Sequence, residues 1–248
     1  MAFFQLGGST YINLLPEIIT YLDNQGYSME VEDFREYKTQ YEFVQVDENT
    51  FSHITWPAKH PMAGQPIVLR DYQIEIIDSF FNNRFNILMA SRQVGKTIMS
   101  SITLLHFALF NNGKNILVTA NKLDTAVEVL DKIREIYQRL PFFLQQGILN
   151  WNQKFMVFEN KSRIKGFATT KTASIGQAAD FLYLDEFAYL PDNIADKFYK
   201  SVFPTISSIE NSKIIITSTP NGFNLFHKLL MDAEKPEGEK SSYAAKRV

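Results

Sequence analysis

Cysteine is absent from this sequence of 248 residues, so the chain forms neither disulfide bonds nor zinc sites built from thiolates. No lysine or arginine precedes Arg35, and the amino-terminal segment therefore lacks the basic start of a secretory signal peptide. No apolar run approaches the roughly 18 residues that a membrane-spanning helix needs. Together these absences predict an intracellular protein that does not act in a membrane.

The composition is otherwise ordinary, with 45% hydrophobic and 21% charged residues. Chains that stay disordered are poorer in apolar residues and carry a larger net charge, so disorder of the whole chain is excluded. The length fits one large domain or two small ones. We find no internal repeat and no long segment of low complexity.

The net charge of −2 is a sum over two opposed parts. Residues 1–60 contain 3 Lys or Arg and 9 Asp or Glu, whereas residues 61–248 contain 22 and 18. The near-neutral total therefore hides an acidic front part and a mildly basic body. Such a body permits a local surface that binds phosphate groups.

Hydrophobic periodicity predicts strands that alternate with helices after residue 66. Three prolines and a glycine in residues 57–66 (PAKHPMAGQP) mark the best internal boundary. Continuous apolar strands followed by helices favour a parallel sheet with helices on both faces. Helices are predicted over 10–24, 71–82, 96–110 and 121–140, buried strands over 85–90, 115–119, 181–184 and 214–217, short strands within 41–56, and a hairpin over 155–159 and 163–168.

The strongest chemical motif is ASRQVGKT, residues 90–97, between a predicted strand and a predicted helix. A loop that binds a nucleotide phosphate needs successive backbone N–H groups, a lysine for the β- and γ-phosphates and a hydroxyl for Mg²⁺. Gly95, Lys96 and Thr97 supply the end of that pattern. Ala90 stands where the usual pattern has its first glycine, so the motif is a variant.

Two adjacent acids, Asp185 and Glu186, follow the apolar run FLYL at residues 181–184. The carboxyl end of a buried strand is the edge at which α/β proteins bind ligands. There Asp185 can hold Mg²⁺ through water, and Glu186 can activate an attacking water molecule.

Two further segments are compatible with nucleotide chemistry. Ser218 and Thr219 follow the run IIIT in the segment TSTPNG, where their hydroxyls could sense a γ-phosphate; turn formation by Pro-Asn-Gly explains the same segment. Tyr72 and Gln73, in LRDYQ, could stack on and hydrogen-bond an adenine ring, although an amphipathic helix start explains them equally well.

Arg92 and the basic stretch 154–171 each allow two interpretations. Arg92, inside the phosphate loop, could stabilise the transition state as an arginine finger or pair with an acid and shape the loop. The stretch 154–171 contains five basic residues and one acid, Glu159. Its cations could contact a DNA backbone or form an ordinary solvated surface.

Taken in order, LRDYQ, ASRQVGKT, FLYLDE and TSTPNG resemble the ATPase domain of the large terminase subunit of tailed bacteriophages. The resemblance spans residues 69–222. It implies an α/β P-loop NTPase fold of the RecA-like type, with a mainly parallel sheet and a small amino-terminal flanking subdomain. The implied activity is Mg²⁺-dependent ATP hydrolysis that drives double-stranded DNA into a procapsid.

Carried over by position, the resemblance implies Glu186 as catalytic base, with Arg92 and Lys96 as catalytic cations. Thr97 and Asp185 would hold Mg²⁺. Many relatives carry an arginine near the segment SIGQ, residues 174–177, where this chain has none, which leaves Arg92 or an arginine of a neighbouring subunit. The implied nucleotide-binding positions are Tyr72, Gln73, Ser91, Arg92, Gln93, Val94, Gly95, Lys96, Thr97, Ser218 and Thr219.

The same resemblance implies three domain segments: an acidic flanking or lid subdomain over 1–60, an ATPase core over 61–231, and the start of a linker over 232–248 toward a missing nuclease domain. The implied partners are double-stranded DNA, a portal protein, a small terminase subunit and copies of this chain in a ring on the portal, formed from monomers in the host cytoplasm. Two alternatives stay open, a DEAD-box-like helicase fragment and a non-catalytic nucleotide-dependent DNA clamp.

Overall fold

A computed structural model describes residues 15–26, 68–140, 144–169, 179–236 and 242–248. The chain divides into two compact units, Met1–Val44 and Gln45–Val248. In the first unit the described residues include helix α1 (Leu15–Asn24), which lies within the helix predicted over 10–24. The strands predicted within 41–56 and the boundary at 57–66 lie outside the described residues, so the division at residue 60 stays a prediction.

Strands and helices alternate in the described part of the second unit. The helices are α2 (Asp71–Asn82), α3 (Lys96–Phe110), α4 (Leu123–Tyr137), α5 (Asp192–Ser207) and α6 (Leu225–Ala233). The strands are β1 (Phe85–Met89), β2 (Asn115–Ala120), β3 (Ile148–Asn152), β4 (Phe155–Phe158), β5 (Arg163–Ala168), β6 (Phe181–Leu184), β7 (Lys213–Ser218) and β8 (Ala244–Arg247). No helix in the described ranges is long and apolar enough to span a membrane.

These strands form one sheet in the order β3-β4-β5-β2-β6-β7-β1-β8. The run from β5 to β8 is parallel throughout, and β3, β4 and β5 pair antiparallel. Parallel strands need crossover connections, and here α3, α5 and the other helices provide them. The predicted α/β architecture is confirmed.

Each face of the sheet is covered by its own hydrophobic cluster. Successive residues of a strand point to opposite faces, so the apolar runs in β2, β6 and β7 supply both clusters at once. One cluster joins one face to α2, α3 and α4, and its sheet residues include Ile116, Val118, Ile164, Tyr183 and Ile215. The other joins the opposite face to α5 and α6 and includes Phe85, Ile87, Leu117, Leu182 and Ile214.

The predicted hairpin is present, because β4 pairs antiparallel with β5. The sequence did not predict β3, which pairs with β4 at the end of the sheet. Four of its five residues are exposed, so it lacks the alternating burial from which a strand can be recognised.

The expectation of an irregular linker from residue 232 is wrong for Ala244–Arg247. These residues form β8, which pairs parallel with β1 and closes one end of the sheet. Tyr243 anchors it, since its buried ring packs near Phe85 and Phe203 and its hydroxyl accepts a hydrogen bond from Tyr199. An edge strand has one paired side only, and this one was missed because it is short and ends in two cations.

Candidate active site

The loop of residues 90–95 connects β1 to α3 at the carboxyl edge of the sheet. Gly95, immediately before α3, has a φ of 89°, in the left-handed region that favours glycine. Gln93 is also left-handed, with a φ of 65°. Ala90 is not among the positive-φ residues, and its N–H donates to the Ser218 carbonyl at 3.1 Å. Alanine therefore fits at the position where a glycine is usual.

Lys96 is buried at the first position of α3, and its ammonium group turns back over the loop. Nζ donates to the carbonyls of Ala90 at 3.2 Å and Ser91 at 3.4 Å. It also lies 3.5 Å from Oε1 of Glu186. A desolvated cation thus stands between the phosphate loop and the predicted base.

Helix α2 holds the loop from the other side. The Tyr72 hydroxyl donates to the Val94 carbonyl at 3.2 Å, and Nε2 of Gln73 donates to the same carbonyl at 3.0 Å. Oε1 of Gln73 accepts from the Arg70 N–H at 3.0 Å, which satisfies a donor at the helix start. The structure therefore places both predicted adenine-side residues against the phosphate loop.

Asp185, just past β6, is buried and accepts hydrogen bonds at one oxygen. Oδ1 accepts from the Tyr183 hydroxyl at 3.0 Å, the Thr217 hydroxyl at 3.0 Å and the Glu186 N–H at 3.1 Å. Burial raises the pKa of Asp185, and the two hydroxyl donors partly oppose that shift. The pKa of Tyr183 is raised well above its usual value, first by its complete burial and then by the Asp185 charge.

Glu186 has a left-handed backbone, with a φ of 48° and a ψ of 44°, and its carboxylate contacts the segment after β7. Oε2 accepts from the Thr219 N–H at 3.1 Å, the Thr219 hydroxyl at 3.1 Å and the Ser218 hydroxyl at 3.3 Å. A non-glycine residue in this conformation persists only when surrounding contacts impose it. Ser218 and Thr219 therefore reach the predicted base.

The turn in TSTPNG also has the structural role that the sequence allowed. Gly222 has a φ of 74°, and the side-chain amides of Asn221 and Asn224 both donate to the Ala188 carbonyl, at 3.0 Å and 2.7 Å. Ala188 belongs to the 3₁₀ turn Phe187–Tyr189 that follows Glu186. The turn after β7 is thus tied to the segment after the two acids.

The remaining predicted loop residues lie at the open side of the site. Ser91, Arg92 and Gln93 are exposed, and Thr97 is half-buried in the first turn of α3. The Arg92 guanidinium forms no ion pair with any residue in the described ranges, so no acid pair of the kind that would shape the loop is found there. Residues 174–177 lie outside the described part of the chain.

Three contact residues were not predicted. Tyr183 and Thr217 orient Asp185, and a hydrogen bond of 3.1 Å joins the hydroxyls of Tyr189 and Thr219. Tyr183 and Thr217 had a signal in the sequence: each is a residue with a hydroxyl inside an otherwise apolar buried strand, where a polar group needs a partner.

The oxygen atoms at the carboxyl edge of the sheet suit Mg²⁺ as ligands. This ion prefers hard oxygen ligands, keeps several waters and is usually held by one or two carboxylates together with substrate phosphates. Asp185 offers Oδ2, because the hydrogen bonds described above all converge on Oδ1, and Thr97 offers a hydroxyl at the start of α3. The residues present therefore fit the ion.

Sheet order defines the class of protein. The phosphate-loop strand β1 and the acid strand β6 are not neighbours, because β7 lies between them. A sheet of this order, with a loop of the phosphate-binding type after β1 and an acid after β6, is the fold of a P-loop NTPase.

The chain belongs to the family described as terminase large subunit, T4likevirus-type, N-terminal, which it matches over residues 87–247, more than half of its length. This membership removes the helicase alternative.

Solved structures agree with the fold. The Thermus phage P74-26 large terminase ATPase domain is similar with a TM-score of 0.60 and 17% identity, over 72% of this chain and 80% of that one. The HK97 bacteriophage large terminase is similar with a TM-score of 0.67 and 20% identity, over 83% of this chain and 43% of that one. A large terminase from a thermophilic bacteriophage, in complex with ADP, is similar with a TM-score of 0.57 and 14% identity, over 72% of this chain and 45% of that one. The chain thus spans less than half the length of the last two proteins.

Proposed function

We propose that this chain hydrolyses ATP with Mg²⁺ and that Glu186 is the catalytic base. The observation that supports the proposal is the approach of Glu186 Oε1 to within 3.5 Å of Lys96 Nζ, at the mouth of the phosphate loop. Nucleotide binding by a similar protein, the thermophilic bacteriophage's large terminase with ADP and with ATP-gamma-S, supports the same conclusion.

Each side chain has a role that follows from its position. The Ser91 N–H already donates to the Val248 carbonyl at 2.9 Å, so the backbone N–H groups of residues 92–96 are the ones that surround the β-phosphate. Lys96 exchanges its contacts with the Ala90 and Ser91 carbonyls for phosphate oxygens. Bound Mg²⁺ would neutralise charge on the β- and γ-phosphates, held by Thr97 and Asp185. The Glu186 carboxylate accepts a proton as water attacks the γ-phosphorus and the bond to the bridging oxygen breaks.

Arg92 is proposed to face the γ-phosphate in the transition state. Its exposure on the loop, without an acid partner in the described ranges, leaves its guanidinium available for charge that develops during the reaction. Such a contribution amounts to about 10³–10⁵ in rate where it has been measured in other phosphoryl-transfer proteins.

The motor function extends this chemistry to the family's substrate. We propose that hydrolysis drives double-stranded DNA into a procapsid, with a portal protein, a small terminase subunit and further copies of this chain as partners, in the host cytoplasm. A non-catalytic clamp needs no base, so Glu186 beside Lys96 favours hydrolysis over that alternative.

Two variants test the catalytic assignment. Glu186→Gln keeps the size of the side chain but cannot accept the proton, so we expect nucleotide affinity within about threefold of wild type and turnover lower by about 10²–10⁴. Lys96→Ala removes a phosphate contact, so we expect it to lower both nucleotide affinity and turnover. Phosphate release and fluorescent-nucleotide binding, each with and without Mg²⁺, measure the two effects.

Glu210→Gln, at an exposed turn before β7, is the matched control and keeps full turnover. If Glu186→Gln turned over ATP at the wild-type rate, Glu186 would not be the base. If the wild type bound no nucleotide, the proposed function itself would be wrong.

A further inference from the structure

The two oxygens of the Asp185 carboxylate have different surroundings. Oδ1 accepts hydrogen bonds from the Tyr183 and Thr217 hydroxyls and from the Glu186 N–H. No group in the described ranges donates to Oδ2. A carboxylate oxygen has about two lone pairs, so three donors occupy Oδ1 fully. Only Oδ2 is open to a ligand.

The two hydroxyls that hold Oδ1 are themselves fixed by the sheet. Tyr183 lies in β6 and Thr217 in β7, and these strands pair parallel with Leu184 opposite Ile216. Both side chains are 0% exposed, so bulk water does not compete for their hydroxyls. The hydroxyls also lie 2.9 Å from each other, which closes a triangle with Oδ1. The geometry at Oδ1 is therefore set by two paired strands before any cation binds.

An acid with one occupied oxygen distinguishes between two common divalent cations. Ca²⁺ takes about six to eight oxygen ligands and often uses both oxygens of one carboxylate. Mg²⁺ takes fewer ligands at shorter distances and keeps several water molecules. Asp185 can offer Oδ2 alone, directly or through a water molecule. Its arrangement therefore suits Mg²⁺ and deprives Ca²⁺ of an oxygen ligand.

We propose that Tyr183 and Thr217 are positioning residues that make Asp185 a ligand with a single oxygen, and that the nucleotide site thereby selects Mg²⁺ over Ca²⁺. The proposal rests on the proposed function, because the cation enters together with the nucleotide. It assigns to two buried hydroxyls a selectivity that a carboxylate with two free oxygens does not have.

Three variants separate the contributions of the two hydroxyls. Tyr183→Phe and Thr217→Val each remove one donor and keep the shape of the side chain. Thr217→Ser keeps the hydroxyl and loses only a methyl group. The Glu186 N–H remains in all three. Tyr199→Phe, on α5, is the matched control, because it removes a hydroxyl that donates to Tyr243 and not to the site.

The affinity for a fluorescent ATP analogue is measured in saturating MgCl₂, in saturating CaCl₂ and in EDTA, below the melting temperature of each variant. We expect the wild type to bind the Mg²⁺ complex about tenfold more tightly than the Ca²⁺ complex. In Tyr183→Phe and in Thr217→Val this ratio should fall by about threefold to tenfold. Thr217→Ser and Tyr199→Phe should keep the ratio of the wild type.

The ratio separates selectivity from a general loss of structure, which weakens both complexes alike. Equal weakening of the Mg²⁺ and Ca²⁺ complexes in Tyr183→Phe and Thr217→Val would therefore overturn the proposal. An affinity unchanged by either variant would show that the metal ligand does not need these hydroxyls.

The wild type alone also tests the proposal. Equal affinities for the Mg²⁺ and Ca²⁺ complexes would show that the site does not select between the cations. Equal affinities with metal and in EDTA would show that Asp185 holds no cation. Both results would leave nucleotide binding intact, whereas a wild type that binds no nucleotide under any of the three conditions would contradict the proposed function itself.

Discussion

At the scale of the residue, one acid of the site lies where burial makes its charged form unfavourable. Asp185 is 6% exposed, and a carboxylate in such surroundings is stabilised only by the donors it finds. Three donors converge on Oδ1, which fixes the rotamer and leaves Oδ2 as the oxygen available to a cation. The geometry suits cation binding better than it suits the stability of the free protein.

Asp185→Asn is therefore expected to stabilise the nucleotide-free protein. Burial raises the pKa of Asp185, so the folded state loses stability as the pH rises from the unfolded pKa through the folded one, whereas asparagine stays neutral and keeps an acceptor at Oδ1. In EDTA at pH 8 we expect an unfolding midpoint higher by about 2–4 °C, the shift that 1 kcal/mol gives in a domain of this size.

Thermal unfolding from pH 5 to pH 8 measures this effect, and the gain of the variant should shrink toward the acid end. Asp196→Asn, an exposed acid on α5, serves as control and should show no such trend. A variant less stable than the wild type at every pH would mean that the carboxylate contributes net stability.

The four motifs in the sequence were enough to predict that the phosphate loop, Asp185, Glu186 and the Ser218-Thr219 pair share one edge. Parallel strands bring their carboxyl ends together, and three of the motifs follow a strand directly. The partner that each side chain selects could not be predicted. Gln73 has several donors and acceptors within reach, and only the packing of α2 on the loop decides among them.

At the scale of the element, helix ends in this fold are satisfied by cations from neighbouring strands. The Arg84 guanidinium, just before β1, donates to the carbonyls of Ser207 and Ile209, each at 2.7 Å, and of Ser212 at 3.2 Å. Lys213 Nζ donates to the carbonyls of Phe81 at 2.7 Å and Asn83 at 3.1 Å, at the end of α2. Carbonyls at helix ends have no partner within the helix, and these two residues supply one.

Arg84→Gln should destabilise the fold without affecting the site. Glutamine cannot reach three carbonyls, so we expect a loss of about 1–2 kcal/mol in the free energy of unfolding, in a range already lowered for the exposure of the group, and a midpoint lower by about 2–8 °C. Thermal unfolding measures the loss, and nucleotide affinity at about 20 °C, well below the midpoint, should equal that of the wild type. Lys200→Gln, exposed on α5, is the control; an unchanged midpoint for Arg84→Gln would show that water replaces the guanidinium fully.

Elements with strong periodicity were predicted well and weakly patterned ones were not. Helix α3 matches its predicted bounds, 96–110, and β6 matches 181–184. Helices α5 and α6 were not predicted. Helix α5 contains Pro204, which is unfavourable inside a helix, and the packing of Phe198 and Val202 on the sheet overrides it.

At the scale of the whole molecule, a group of four exposed cations lies at one end of the sheet. We name as the basic face the exposed side chains of Lys154, Lys161, Arg163 and Lys165, on and around β4 and β5. Arg163 and Lys165 are two apart in one strand, so they point to the same side of the sheet. None of the four forms an ion pair within the described ranges, which favours the DNA interpretation of this stretch.

Replacement of Arg163 and Lys165 by glutamine tests that interpretation. Each phosphate contact releases counterions and steepens the salt dependence, so we expect weaker duplex binding and a slope of log K against log salt smaller by about 2. Fluorescence anisotropy with a labelled duplex at several salt concentrations measures this, while nucleotide affinity should not change.

The control is Lys197→Gln with Lys200→Gln, two exposed lysines of α5 that remove the same charge elsewhere. An equal loss in both pairs would mean that net charge alone governs DNA binding. An unchanged slope in the Arg163 and Lys165 variant would place the DNA surface on another part of the chain.

Three consecutive residues at the end of β7 contact the two adjacent acids that follow β6. Thr217 donates to Asp185, whereas Ser218 and Thr219 donate to Glu186. An extended strand transmits an axial force with little stretch, and here its end is hydrogen-bonded to both acids that we propose to flank the reacting phosphate. A mechanical load that displaced β7 by a fraction of a bond length would change the hydrogen bonds to Asp185 and to Glu186 together. A load on this one strand would therefore act on both acids of the site.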